Sequence, residues 1–191
     1  MASKSETGGE TARRAVRTEE LHGWKKAVTR VVALLEPDES PAAVVYGTIT
    51  FGAVIAAEGT HVNDIVTLEL SSAAVLVLYW LAHSYSDLLG ARLADGTQWS
   101  MRGAGKVLGN ETAILRGAAL PLLVILVAWL LGSGVPNAAT AGIYTSIAML
   151  ILLEIFAGIR IKLTGWALAG QAMVGALFGC GILLVRVFVA I

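Results

Sequence analysis

One long apolar stretch of this sequence contains a row of polar residues whose spacing matches the turn of an α-helix. The row runs in steps of three or four through Glu69, Ser72, Leu76, Tyr79, His83 and Asp87. Residues at such steps lie on one face of a helix, where Asp87 would fix the orientation of the His83 ring. We interpret this face, with Tyr79 one turn from His83, as a candidate proton relay or ion path. Packing of the same face against neighbouring helices is the alternative.

Two further ionisable residues are expected at the same depth as His83 and Asp87. Arg116 lies near the start of one apolar run, and Glu154 lies shortly before Arg160 at the end of another. At ~1.5 Å per helical residue, His83 and Glu154 are both roughly 10 Å from the same membrane boundary. We therefore predict a polar cluster there, with Asp87–Arg116 and His83–Glu154 as the preferred pairs. The alternative role for such a cluster is a buried salt bridge that only locks the helices together.

A second acidic group is expected at the opposite boundary. It consists of Glu58, Asp64 and Glu69, and the loop over 59–64 contains no Lys or Arg. An acidic mouth of this kind can attract cations. A solvated turn is the alternative interpretation.

The composition indicates that lipid surrounds most of these residues. Hydrophobic residues make up 56% of the 191 positions and charged residues 15%, against about 25% charged in ordinary soluble domains. Half of the 14 basic and 14 acidic residues precede position 41. The remainder of the chain has too few charges to cover a soluble surface, so a bilayer is the expected partner. The absence of a basic excess argues against nucleic-acid binding.

The positioning elements are five apolar runs, over residues 42–57, 65–89, 113–131, 138–159 and 166–191. About 20 residues cross a ~30 Å hydrocarbon core as a helix. The runs therefore predict an all-α transmembrane domain of five helices over 41–191. Lys and Arg occur in alternate connections, and the positive-inside rule then places the N-terminus inside and the C-terminus outside.

The segment before these runs is expected to have two parts. Residues 1–17 are polar and predict a disordered arm. Over 18–36, apolar residues recur at helical spacing, at Leu21, Trp24, Val28, Val31 and Leu35. This pattern predicts an amphipathic helix on the bilayer surface, with packing on a partner or on the protein's own cytoplasmic face as the alternative.

Small residues predict where helices approach one another. Gly175 and Gly179 are four apart in the fifth run, and Gly52 lies in the first. Such spacing favours close backbone contact, either within one chain or between copies. The one cysteine, Cys180, is expected to be a buried core residue, and a single thiol excludes an intrachain disulfide and a cysteine-based metal site.

The sequence offers little to an enzyme. It contains no phosphate-binding loop, no His-Glu-x-x-His and no Gly-x-Ser-x-Gly, and its three histidines are far apart. We therefore expect no catalytic activity, no cofactor and no local metal motif.

Three short segments carry a resemblance to known proteins, namely Val45-Tyr46-Gly47-Thr48-Ile49, Ala56-Ala57-Glu58 and Tyr79-Trp80-Leu81-Ala82-His83-Ser84-Tyr85. Over most of 41–191 the chain resembles a family of small, uncharacterised integral membrane proteins of high-GC Gram-positive bacteria. That resemblance implies a multi-pass protein of a bacterial plasma membrane and no known activity.

The segment from Tyr79 to His83 is also similar to the second helix of bacterial relatives of the lysosomal potassium channel. Those proteins have six helices per repeat and an Arg/Phe-Ser-Asp signature in the first, where this chain has Tyr46-Gly47-Thr48. Together the residues favour a small, oligomeric channel or transporter for protons or small cations. The alternative is a non-catalytic accessory or scaffold subunit of a membrane complex, with another membrane protein as partner.

Overall fold

The computed structural model describes residues 41–59, 61–96 and 100–189, and these form six α-helices. They are α1 (Pro41–Glu58), α2 (Ile65–Asp95), α3 (Met101–Asn110), α4 (Ala113–Leu130), α5 (Val135–Arg160) and α6 (Gly165–Val189). Five candidate spans are long and apolar enough to cross a membrane, with α3 and α4 together forming the third. This confirms the predicted all-α fold with five spans and makes the chain a multi-pass membrane protein. The predicted arm (1–17) and amphipathic helix (18–36) lie outside the described residues.

The helix ends follow local rules, with one correction to the sequence prediction. Asp64 caps α2, whereas Gly96 ends it with a φ of 62°, a left-handed conformation that favours glycine. The predicted start of the fourth apolar run, residue 138, is three residues late, because α5 begins at Val135 with Gly134 as its cap. Pro136 fits the first turn of α5, since backbone N–H groups there need no helical acceptor.

The shortest of the five candidate spans, α1, occupies the centre of the bundle. It contacts α2, α4, α5 and α6. Its side chains Phe51 and Ile55 are fully buried together with Ile125 of α4 and Ile143 of α5. Hydrophobic side chains therefore fill the interior of a single copy.

Glycines bring the start of α4 against α1 at backbone distance. A Cβ atom on Gly47 would lie 1.9 Å from the Ile114 carbonyl oxygen, and one on Gly117 would lie 2.2 Å from the Val44 carbonyl oxygen. The buried Thr48 hydroxyl donates to the Gly117 carbonyl oxygen across the same contact, at 3.0 Å. Only glycine permits this approach, which fixes the beginning of α4 beside the first half of α1.

The glycines singled out from the sequence pack within the chain. A Cβ atom on Gly175 would meet the backbone of Leu150, and one on Gly179 would meet Ile147, so both glycines face α5. Gly52 lies against α5 and α6. Cys180 is exposed, and its predicted burial is wrong because the preceding residue, Gly179, is the one that faces α5.

Candidate functional site

Three side chains from two parts of the fold meet at one end of the bundle. His83 Nε2 lies 3.8 Å from Asp87 Oδ2 and 3.5 Å from Glu111 Oε2. We call His83, Asp87 and Glu111 the inner cluster, after the side of the membrane that the orientation predicted from the sequence gives it. The imidazole ring packs beside Tyr79, with ring centroids 6.0 Å apart, and beside Tyr46 of α1, at 5.5 Å. Two aromatic rings therefore hold the imidazole in place.

The length of α2 puts the inner cluster near a membrane boundary. With 31 residues, α2 is about 46 Å long at ~1.5 Å per residue, which exceeds a ~30 Å hydrocarbon core. His83 lies about 27 Å along the axis from Ile65. Counted from Asp64, the cluster therefore lies near the far end of such a core, and the Asp87 side chain is 50% exposed there.

Glu111 completes the inner cluster and was not among the residues predicted from the sequence. It lies in the turn between α3 and α4, and its side chain is only 12% exposed. The position is set by the glycine contact that holds the start of α4 against α1. A carboxylate in a short polar turn gives no sequence signal of burial, so only the packing of the helices could reveal it.

The predicted cluster of four ionisable residues is divided in the structure. Arg116 is exposed at the start of α4, whereas Glu154 Oε2 accepts a hydrogen bond from Gln171 Nε2 of α6, at 2.5 Å. In the described part of the chain, the carboxylates close to His83 Nε2 belong to Asp87 and Glu111 and not to Glu154. The preferred pairs were therefore wrong, because α5 packs chiefly on α6, α4 and α1 and carries Glu154 away from α2.

Two residues of the predicted outer mouth have structural roles. Asp64 Oδ2 accepts hydrogen bonds from the backbone N–H and the hydroxyl of Thr67, each 2.8 Å long. These two bonds lower the pKa of the Asp64 carboxyl below its ordinary value, because they favour the charged form. Glu58 accepts a hydrogen bond from the Ser71 hydroxyl and so ties the end of α1 to α2.

The third residue of that mouth, Glu69, is in a different situation. Both of its carboxylate oxygens are buried, and neither has a hydrogen-bond partner in the described part of the chain. The hydroxyl of Ser72, one turn along α2, is buried and unpartnered in the same way. An ionisable group buried without a partner in a transmembrane helix is costly and is by default a candidate functional residue.

The polar residues predicted to share one face of α2 do so in the structure. They form two separate polar sites along that face, which we call stations. The outer station is formed by Glu69 and Ser72, and the inner station is the inner cluster. At ~1.5 Å per residue, Glu69 and His83 are roughly 21 Å apart along the helix. Leu76, which is buried, interrupts the row between the two stations.

An apolar groove opens beside that interruption. It has a volume of about 480 Å³ and lies between α2 and α4, with Leu76, Leu115 and Leu122 among its lining residues. The groove is therefore a place where α2 and α4 do not fully cover one another.

Comparison with known proteins assigns no relative to this chain. No family model, no curated protein and no solved structure matches it.

Proposed function

We propose that this protein is a small channel or transporter that moves protons or small cations across a membrane along the polar face of α2. The single observation that carries the proposal is Glu69, whose two carboxylate oxygens are buried without a described partner. If Glu69 had only a packing role, its carboxylate would bring no advantage. An apolar side chain of similar size would pack as well without the cost of a buried carboxylate. A cation or a proton that visits the site offsets that cost.

The inner cluster supports the proposal because it supplies a second polar station on the same helix face. A mobile cation would exchange with water near Asp87 at one boundary and reach Glu69 towards the other. The buried Leu76 would act as the apolar constriction between the two stations, a common way for membrane pathways to limit leakage. Movement past Leu76 would then need a shift of α2 relative to α4, and the groove beside Leu76 leaves room for one.

We further propose that the active form is a homo-oligomer in a bacterial plasma membrane. Side chains of α1 and its neighbours fill the interior of one copy, so a continuous pathway would need surfaces contributed by several copies. The basic residues in alternate connections would place the inner cluster on the cytoplasmic side, with the N-terminus inside and the C-terminus outside.

Reconstitution into liposomes tests the proposal. The full chain is placed in vesicles that contain a pH-sensitive dye, and a second set of vesicles contains a dye for K⁺ or Na⁺. We expect flux above that of empty vesicles for at least one ion, and a loss of most of it in Glu69→Gln and His83→Ala. The control is Tyr85→Phe, because Tyr85 is exposed on the side of α2 away from His83.

The outcomes separate the proposal from its alternative. Wild-type flux no greater than that of empty vesicles refutes transport. Stable co-purification with another membrane protein would then favour the accessory or scaffold role. Flux that is the same in wild type, Glu69→Gln and His83→Ala refutes the assignment of the α2 face as the pathway.

A further inference from the structure

We infer that the inner cluster is a binding site for a divalent first-row transition-metal ion such as Zn²⁺. The ligands would be Nε2 of His83, Oδ2 of Asp87 and Oε2 of Glu111. This inference goes beyond the proposed transport function, because the site can bind a metal whether the ion is carried or only holds α2 against the start of α4.

The distances in the inner cluster suit a shared metal ion better than direct hydrogen bonds. Nε2 of His83 lies 3.5 Å from the Glu111 oxygen and 3.8 Å from the Asp87 oxygen, beyond the roughly 2.7–3.2 Å of a good N–H···O bond. Two ligands at ~2.1 Å from one tetrahedral ion are about 3.4 Å apart. The three ligand atoms all lie within 4.8 Å of one another, so a single ion can reach each of them after small side-chain movements.

The buried oxygen of Glu111 gives an independent reason to expect a ligand. Oε2 is buried and has no hydrogen-bond partner in the described residues, and this is the atom that points to His83 Nε2. A buried carboxylate oxygen without a hydrogen bond is destabilising. A metal ion would satisfy it, and two carboxylates with a neutral imidazole would balance a divalent charge.

The surroundings suit a binding site because the fold holds the ligands from different directions. His83 and Asp87 are four apart on α2 and so present both ligands on one helix face, while Glu111 approaches from the turn before α4. Tyr79 and Tyr46 pack against the imidazole and limit its rotation. Asp87 is half-exposed, which leaves a way for the ion to enter and room for water to complete its coordination.

The ligand set points to the chemical class of the ion. An imidazole nitrogen is a favoured ligand of Zn²⁺ and other first-row transition metals, whereas Mg²⁺ and Ca²⁺ prefer sites made only of oxygen. His83 and Asp87 are close in sequence, whereas Glu111 lies on a different element and is distant from both. The complete ligand set therefore forms no local motif in the sequence.

A binding measurement on the purified full chain in nanodiscs tests the inference. Zn²⁺ alone is titrated against a chromogenic chelator at neutral pH, without any ion gradient. We expect one ion per chain, with affinity at least tenfold weaker in His83→Ala and in Glu111→Gln and unchanged in Tyr85→Phe. Mg²⁺ in excess should not displace the bound Zn²⁺.

A spectroscopic measurement on the unmutated chain keeps the inference testable if the variants fold poorly. X-ray absorption of the Zn²⁺ complex should show an imidazole nitrogen and carboxylate oxygens at ~2.0–2.2 Å. A shell of water oxygens alone, the absence of saturable binding, or equal affinity in well-folded His83→Ala and Glu111→Gln overturns the inference. Since no gradient is present, loss of binding is distinguished from failure of the proposed transport.

Discussion

Replacement of Glu69 by leucine is predicted to stabilise the protein while it removes transport. Both Glu69 oxygens are buried without a described partner, and an unsatisfied buried polar group costs about 1–3 kcal/mol. Glu69→Leu removes that cost and keeps a side chain of similar size. The free energy of unfolding should therefore rise by about 1–3 kcal/mol. At roughly 2–4 °C per kcal/mol for a chain of this size, the apparent melting temperature should rise by several degrees.

A second glutamate in a spanning helix provides the matched comparison. Glu154 accepts a hydrogen bond from Gln171 across the α5–α6 contact. Glu154→Leu removes that bond and leaves the Gln171 amide without its partner, so the free energy of unfolding should fall by about 1–3 kcal/mol. The same substitution is thus predicted to have opposite signs at two intramembrane glutamates.

The assay is thermal unfolding of the purified protein in a fixed lipid and detergent mixture. Unfolding is monitored by tryptophan fluorescence and by the loss of the monodisperse peak in size-exclusion chromatography. Both variants and the wild type are measured at one pH and one protein concentration. If Glu69→Leu is as destabilising as Glu154→Leu, Glu69 has a stabilising partner in the membrane. In that case the reasoning from an unpaired carboxylate is refuted.

Three further predictions concern the packing of α1 against α4 and the cap of α2. Gly47→Ala should lower the free energy of unfolding by about 1–3 kcal/mol, because the new Cβ would lie 1.9 Å from the Ile114 carbonyl oxygen. Gly181→Ala is the control, since nothing lies within 4 Å of its Cβ, and thermal unfolding of both variants is the measurement. Thr48→Val should cost about 1 kcal/mol in the same assay, since it removes the buried bond to the Gly117 carbonyl oxygen. The pKa of the folded Asp64 carboxyl lies below its ordinary value because Thr67 donates two hydrogen bonds to it. Its contribution to stability is therefore present above that ordinary value and is lost as pH falls through the lowered pKa. Melting temperatures from pH 6 to pH 2 should show a smaller acid-induced decrease in Asp64→Asn, which keeps a capping side chain but does not titrate; an equal decrease would contradict the assigned role of Asp64.

Hydropathy predicted the number of spans well because each helix that crosses the hydrocarbon core needs about 20 mostly apolar residues in a row. Local chemistry explains some helix ends, such as the Asp64 cap of α2. Hydropathy alone placed the start of the fourth apolar run three residues late, since Pro136 fits inside the first turn of α5.

The arrangement of the candidate site was harder to predict because it depends on which helices touch. Depth in the membrane alone placed His83 and Glu154 in one layer. Depth does not predict the direction in which each side chain faces around the bundle axis. In the structure Glu154 faces Gln171, whereas His83 faces Glu111. The contact that brings Glu111 to His83 depends on Gly47 at a backbone crossing, and no local pattern marks which helix that glycine will meet.

The most direct test of the central claim is the initial rate of ion flux into liposomes that contain Glu69→Gln, compared with wild type at equal protein content. The proposed pathway on α2 predicts that the rate falls to nearly that of empty vesicles in Glu69→Gln, while Tyr85→Phe retains the wild-type rate. A Glu69→Gln protein that is folded and conducts at the wild-type rate would contradict the claim.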